Sequence, residues 1–468
     1  MKQTQTILFG GMCVLLLLVS ACATVNPRPD YDRTAQLITQ ATGQESVYRP
    51  DDEAVVKSAV DELLAGGVTA QEAVQLCLLN NPRLQAAFLN AGIARADVVQ
   101  SGLFSNPALG FSPQFPDGGG PTSFEASFAQ NIAELWQIPA RTRTAEQSLE
   151  QALLTLAREV STTALEAKAA YYRAVRTDRE IEVSQGNVDI TTQLVDLAKV
   201  REEAGVGSLV DVQLAESELL QTELALRTAT IARFEARTEL TKLLGLPVPP
   251  DQLPLTDSLP DPPHWTVTPE QLMALARSHR LDVQAAQNAV RAAEARVEEE
   301  KRKAVRVVEI GGIRDAEDRT GPTLGVELPL FDQNQAQIAK ASYLAQQANK
   351  NLAALVQELT QDTRVTYERA RNAWENTRFY QQQLLPLRQG SLELSREAYR
   401  YGRASILQVL DAERRLLEAR AGYLEALQTS ATALVDLERV TGQPAARILS
   451  ATQQQTPPFL VPPADRTP

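Results

Sequence analysis

Along most of this chain apolar positions recur at three- and four-residue spacing, the pattern of helices with one buried face, and in two places that period gives way to alternation. Thr69, with Glu72 three residues on, has the form of a capping box. It opens a helical pattern from Ala70 to Phe104, disturbed at Asn81-Pro82 and stopped at Asn106-Pro107. Ala108–Phe115 and Ser123–Ile132 then alternate as strands on either side of the loop Pro116-Asp-Gly-Gly-Gly-Pro121. Each is about nine or ten residues, enough to cross a bilayer as a tilted strand. Pro139 next opens a helix running without another Pro to Ala204, on the order of 100 Å long at 1.5 Å per residue. A glycine turn follows, then a helix from Leu209 to Leu244, ended by Gly245-Leu-Pro247.

After the Pro-rich stretch 246–266 the same order returns. Thr268-Pro269 starts a helix reaching about Lys303, with Pro well placed at its first position. Val305–Arg314 and Thr323–Phe331 alternate around a polar loop, 315–321. A second very long helix runs from Gln333 to Tyr401, with Pro386 as its expected kink. Gly402 breaks it, and a helix from Ser405 to Thr441 ends at Gly442-Gln-Pro444. The two turns align: Gly205 with Gly402, Ser208 with Ser405, Val212 with Val409, Ala215 with Ala412 and Glu216 with Glu413.

The reading is therefore two tandem structural repeats in a mainly α chain with a small β part. Four strands per chain cannot close a barrel, and open strand edges cannot face lipid. Closure must come from other chains, and a homotrimer would supply twelve strands, an even-numbered outer-membrane β-barrel continued by a tube of helices.

Composition changes this picture little. Aromatic residues are only 5%, so large core side chains are scarce, as in long helices packed through small residues. The net charge is -12 with no dense Lys/Arg run, which argues against nucleic acid as a partner. The acidic excess fits either a solvated surface or an acidic channel wall.

The N-terminus changes it more. Lys2 and the apolar run Ile7–Val19 form a signal-peptide pattern too short to span a membrane. Val19-Ser20-Ala21-Cys22 resembles a bacterial lipobox, which would cut off residues 1–21 and place a covalent lipid on Cys22; the alternative is an ordinary signal in which Cys22 is incidental. Ala23 after that cysteine is, in the lipoprotein family, the mark of export to the outer membrane. Residues 22–67 read as a lipidated tether with a short helix near Asp52–Ala65, 68–245 and 267–444 as the repeats, 246–266 as a linker, and 445–468 as a Pro- and Gln-rich tail, disordered after Ala451. Cys77 alone remains in the mature chain, so an internal disulfide is excluded.

On the paired turns, the four strands and the segment Leu328-Pro-Leu-Phe-Asp-Gln-Asn-Gln-Ala-Gln-Ile338, the chain resembles the TolC-like outer-membrane factors from about Val68 to Gly442. Pro329–Gln335 is similar to the heavy-metal-efflux, CzcC-like branch. The resemblance implies a homotrimeric exit duct of a tripartite efflux system, a 12-stranded barrel in outer-membrane lipid continued by a long periplasmic α-helical barrel. It implies a periplasmic adaptor and an inner-membrane RND-type pump as partners, and no cofactor, metal site or chemistry of its own. It carries a pore constriction onto Asp411, Gln408 (where a second aspartate often stands), Tyr399, and Asp211 in the first hairpin. It carries adaptor docking onto the turns Gly205, Val206, Gly207, Ser208 and Gly402, Arg403, Ala404, Ser405. Metal cations are the first substrate class implied, drugs or other small organics the second.

Blander readings stand beside these. Asp411, Gln408 and Asp211 could lie on the solvated face of an ordinary coiled coil, and the glycines could simply form turns. Phe104, Phe111, Phe115, Trp136 and Phe331 fit aromatic belts at the bilayer interfaces or plain packing between strands. Enzyme motifs are missing: there is no GxSxG, GxGxxG, HExxH or P-loop, and Glu298-Glu-Glu300 reads as a charged helix face. A periplasmic adaptor would carry one hairpin and many short strands, and a structural lipoprotein would not need membrane-length strand pairs.

Overall fold

The structure is a computed structural model that describes residues 23–50, 53–115, 122–263, 267–315 and 319–450. Cys22 and the signal pattern, His264, the loop 116–121 and the tail from 451 lie outside the described residues. No helix among the described residues is long and apolar enough to cross a membrane.

The elements follow the doubled order. Two short helices, α1 (Arg28–Thr42) and α2 (Glu53–Ala65), precede the first repeat: α3 (Ala70–Asn80), α4 (Pro82–Gly102), β1 (Ala108–Gln114), β2 (Ser123–Asn131), α5 (Glu134–Glu203) and α6 (Leu209–Leu243). The second repeat is α7 (Pro269–His279), α8 (Leu281–Arg302), β3 (Val308–Arg314), β4 (Thr320–Val326), α9 (Gln335–Phe379), α10 (Leu385–Arg400) and α11 (Ile406–Thr441), with α12 (Ala445–Ser450) after it. At 70 residues α5 is about 105 Å long, at a rise of 1.5 Å per residue.

The chain forms two compact units. One holds, of the described residues, those of 23–33, Phe88–Leu156 and Gln284–Ala353. Its sheet is antiparallel in the order β1-β2-β3-β4, with Phe111 opposite Ala126, Phe128 opposite Gly312 and Ile310 opposite Leu324. The strand roots are tied to the helices: Arg141 donates to the carbonyls of Ser101 and Leu103, Gln137 to that of Val305, Arg302 to that of Trp136, and Glu134 accepts from the Ser105 N–H. Phe104, Phe111, Phe115, Phe124, Leu324 and Phe331 are exposed on the single chain.

The other unit holds Thr34–Ala87, Ala157–Val283 and the chain from Ala354. One apolar cluster joins Leu194, Val195 and Ala198 of α5, Val212 and Ala215 of α6, Leu392 and Tyr399 of α10 and Ile406, Val409 and Leu416 of α11. A second gathers Val267, Leu272, Trp374, Leu437 and Ile448.

Several boundaries differ from the sequence reading. Arg28–Thr42 is a helix rather than an extended tether, because Tyr31, Leu37 and Ile38 bury one face and Asp30 pairs doubly with Arg95 at 2.5 and 2.6 Å. Helix α5 starts before Pro139; a proline this near the start removes only one intrahelical bond. The helix expected to reach Lys303 unbroken is interrupted at Arg280, the counterpart of the break at Asn81, with Asp282 accepting from Arg280. Strand β4 begins at Thr320 and ends at Val326, because an edge strand tolerates Pro322. Before Pro386 the long helix widens into a π turn, Tyr380–Leu384, that accommodates the missing N–H.

Residues 246–263 pack onto their neighbours. Val68 pairs with Leu255, and Arg237 donates to the carbonyls of Pro250 and Leu253. The start of the expected tail is helical, with Ile448 fully buried and Glu438 accepting from the Ala445 N–H. Glu299 and Glu300 are buried and ion-paired with Arg296 and Lys303, so only Glu298 of that run is a solvated charge.

Candidate constriction at the hairpin turns

Helices α5 and α10 end in the same way. Gly205 and Gly402 both take φ 71°, a left-handed conformation in which a Cβ is strained. The next residue closes the turn in each case: Val206 N–H donates to Arg201 O at 3.0 Å, and Arg403 N–H to Ala398 O at 2.8 Å. The return helices then start alike. Ser208 caps α6 and exchanges hydrogen bonds with Asp211, its hydroxyl accepting from the Asp211 N–H at 3.2 Å. Ser405 caps α11, and Gln408 Oε1 accepts from the Ser405 N–H at 3.3 Å. Asp211 and Gln408 thus hold equivalent capping positions, one half-buried and the other exposed.

Past these caps the hairpins diverge. Tyr399 is 2% exposed, its ring inside the apolar cluster and its hydroxyl without a hydrogen-bond partner. Burial pushes its phenol above the usual tyrosine range; the Asp211 carboxylate adds to the rise and the Arg201 guanidinium opposes it. Asp411 is exposed on α11 and pairs with Arg415 one turn on at 2.9 Å, so its carboxylate carries a counter-charge. Gln408 and Asp411, three residues apart, share that exposed face. Val206, Leu209 and Val210 at the first turn, and Tyr401 and Leu407 at the second, leave apolar side chains in solvent, with Gly205, Ser208, Gly402, Arg403 and Ser405 exposed among them. Gly207 and Ala404 are half-buried.

Arg201 is the residue that sequence reasoning missed. It donates to Val206 O in the first turn at 3.1 Å and to Arg400 O in the second at 3.2 Å, and its guanidinium lies 4.6 Å above the Tyr399 ring. One side chain therefore holds both turns by carbonyl capping and a cation–π contact. Its only advance signal was a basic residue in the last turn of a helix, which is common.

The segment that carried the branch resemblance is a structural clasp. Asp332 accepts from the Asn334 N–H; Asn334, at φ 64° and buried, donates to the backbone and the carboxylate of Glu300 at 2.7 and 2.9 Å. Among the described residues no group of three or more His, Cys, Asp or Glu could hold a metal ion. Cys77 is buried, and burial pushes its thiol up to about 12, well away from a reactive thiolate.

Comparison with known proteins places this geometry. The family model for outer membrane efflux proteins matches residues 73–246 and 272–443, one match on each repeat. The cobalt-zinc-cadmium resistance protein CzcC of Cupriavidus metallidurans is 27% identical over 386 residues, 81% of this chain and 91% of that protein. Among solved structures, the outer-membrane channel OprN superposes with a TM-score of 0.68 at 19% identity, covering 86% of this chain and 96% of that one. The open-state MtrE outer membrane channel of Neisseria gonorrhoeae superposes at 0.64 and 18% identity, covering 80% and 88%.

Proposed function

The chain belongs to the outer membrane efflux protein family, and on that premise we propose that it is the outer-membrane exit duct for metal cations in a tripartite system. The family is one of efflux channels, not enzymes, so the chain's task is to conduct. The observation that carries the reading is the doubling: each family match takes in one strand pair and one long hairpin.

Three chains make the duct. The sheet order leaves β1 and β4 each with one open edge, and an open edge in hydrocarbon leaves N–H and C=O groups unpaired at several kcal/mol each. Joining β4 of one chain to β1 of the next, three times, removes every edge. The exposed Phe111, Phe115, Phe124 and Leu324 then meet lipid, and a lipid on Cys22 anchors the N-terminus. Beyond the membrane the hairpin turns meet a periplasmic adaptor through Gly205, Val206, Gly207, Ser208 and Gly402, Arg403, Ala404, Ser405, and an RND-type pump supplies the substrate and the energy. Asp411, Gln408 and Asp211 surround the narrowest part, where three-fold symmetry turns each residue into a ring that filters ions, and the buried Tyr399 holds the hairpin that carries the first two.

Metal cations are the substrate class favoured by the likeness to CzcC, whose name specifies cobalt, zinc and cadmium. A passive duct needs no resident ligands, and a chain with two histidines and three methionines is in keeping with that. Removing the gene should sensitise the host to divalent cobalt, zinc or cadmium and leave tolerance of hydrophobic organics unchanged; the reverse pattern would overturn the metal reading. Purified protein should have a trimer's mass and form cation-preferring channels in planar bilayers. Asp411→Ala should reduce that preference, most of all at low salt, where charges act over about 30 Å. A non-conducting monomer would overturn the duct.

A further inference from the structure

Glu413 has no part in the capping, stacking or apolar packing described above, yet it lies at the centre of the hairpin bundle. On α11 it continues the inward face of Ile406, Val409 and Leu416, a core position in a pair of packed hairpins. Its residue exposure is 0%, on the single chain and without help from neighbouring copies. A carboxylate there would need several donors, because an unpaired buried charge is strongly unfavourable. One contact is present. Thr191 Oγ1 of α5 lies 2.8 Å from Glu413 Oε1, while Glu413 Oε2 has no hydrogen-bond partner.

The unpaired Oε2 favours the neutral acid, and the Thr191 hydroxyl can serve it. The hydroxyl oxygen also lies 2.9 Å from the carbonyl of Asn187. A hydroxyl has one hydrogen, and a carbonyl oxygen can only accept. The Asn187 carbonyl is already satisfied by the Thr191 N–H within α5, so the hydroxyl is free to turn to an ionised Glu413, but that is one donor for two buried oxygens and Oε2 would carry charge unpaired. If Glu413 carries a proton, the chain closes: its hydroxyl donates to Thr191, and Thr191 donates to Asn187.

The charges on the surrounding helices do not reverse this. Arg396 of α10 donates to the carbonyl of Ile190. Arg414 of α11 is paired with Glu218 of α6, and Arg420 of α11 donates to the Asn187 side chain. Burial raises the Glu413 carboxyl above its usual range; Glu218 adds to the rise, whereas Arg396 and any hydrogen bond donated by Thr191 oppose it.

We propose that Glu413 is a neutral, proton-bearing acid whenever the second hairpin is seated on the first, and that loss of this proton unseats the hairpins beside Asp411 and Tyr399. It is a positioning residue: it acts on the constriction through helix packing, not by lining it. The inference rests on the duct reading for its consequence, but not for its geometry. The sign follows from linkage. The proton is held more tightly in the seated state, so the stabilisation is complete below the ordinary glutamate range and falls as pH rises through the raised value.

The test is amide hydrogen exchange on the full-length protein in detergent, corrected for intrinsic rates, from about pH 5 to about pH 9; between the ordinary glutamate value and the raised one, each pH unit changes protection by up to roughly tenfold. The wild type should lose protection in residues 185–220 and 385–420 as pH rises. Glu413→Gln, whose amide can donate to Thr191 without ionising, should keep protection flat across the range. Glu413→Ala should lose protection at every pH, and Glu216→Gln, at the matching place in the first repeat, should behave as wild type. Wild-type and Glu413→Gln profiles with the same slope would overturn the proposal. In planar bilayers wild-type conductance should rise with pH and that of Glu413→Gln should not. A protein with the exchange profile but no conductance would overturn the duct reading and leave the Glu413 assignment supported.

Discussion

At the first turn Gly205 is followed by Gly207, and at the second Gly402 is followed by Ala404. A turn before Gly205 stands the exposed Glu202; in register with it before Gly402 stands the buried Tyr399. Past the caps, Glu216 is exposed and pairs with Lys199 at 3.0 Å, whereas its counterpart Glu413 is enclosed. Both turns keep the left-handed glycine, the serine cap and a side chain three residues on that accepts from the serine N–H. The shared features are those that any chain needs in order to reverse between two long helices. The features that differ decide which hairpin presents its face to the other. Arg201 of the first hairpin reaches the ring and the carbonyl of the second, and the second has no counterpart, since Ala398 stands in that place. The first hairpin holds and the second is held. Loss of the Arg201 contacts would therefore free the second hairpin.

The strongest way to break this asymmetry is to remove the ring. Tyr399→Ala should raise local opening of the second hairpin by about 3–5 kcal/mol, the range for a buried aromatic cut to Ala. Glu202→Ala, at the matching place, should stay within about 0.5 kcal/mol, as exposed sites do. Amide exchange of residues 385–420 in the two variants measures the contrast, and equal effects would show that the hairpins are interchangeable.

A smaller effect separates the turns themselves. A Cβ at Gly207 would lie 2.9 Å from the backbone of Arg201 and Glu202, so Gly207→Ala must push the turn off the end of α5. Overpacking of this kind costs about 1–3 kcal/mol. Ala404→Gly should cost less, about 0.8 kcal/mol, since it removes one half-buried methyl packed against the apolar cluster. Thermal unfolding of both variants, with cleavage at the turns by a protease as a local readout, gives the comparison.

Smaller still is the cap. Asp211→Ala should cost about 1 kcal/mol, the usual loss for a broken N-terminal capping arrangement. Gln408→Ala should cost less, because its 3.3 Å contact is uncharged whereas the 3.4 Å contact to the Asp211 carboxylate is charge-assisted. The difference is read as exchange of the first-turn amides of α6 and α11.

Much of this was legible in the chain before any coordinates. Glycine and proline punctuate it at each reversal, and alternation in 108–115 and 123–132 set the strands to within a residue. Illegible features were those that depend on distant partners. Arg280 breaks a helix with no proline beside it, because Asp282 holds its guanidinium. Arg28–Thr42 is polar enough to read as tether until Tyr31 and Ile38 find partners far along the chain. Arg201 and Glu413 were lost for the same reason. A basic residue near a helix end and a glutamate in a charged repeat look solvated until the second hairpin is laid on the first. Lys199 and Glu216 have the same local pattern, and they are solvated.

The smallest expected effect makes the sharpest test of what holds the second hairpin. If Tyr399 acted through its hydroxyl, Tyr399→Phe would loosen the turn much as Tyr399→Ala does. The hydroxyl has no hydrogen-bond partner, however, and the Arg201 guanidinium lies over the ring, whose face phenylalanine retains. Removing an unsatisfied buried hydroxyl leaves no partner behind, so Tyr399→Phe should be neutral to slightly stabilising at neutral pH. The two proteins should separate only in alkali. Burial raises the Tyr399 phenol above its usual range, with Asp211 adding and Arg201 opposing, so the seated state favours the protonated ring. That stabilisation is whole below the ordinary tyrosine value of about 10 and is lost as pH rises through the raised one. Phenylalanine has nothing to ionise. Protection of residues 385–420 in Tyr399→Phe should therefore match the wild type near neutrality and exceed it above about pH 10. A loosened hairpin at neutral pH would mean that the hydroxyl is hydrogen-bonded in solution, and would move the hold on the second hairpin from the Arg201 stack to that contact.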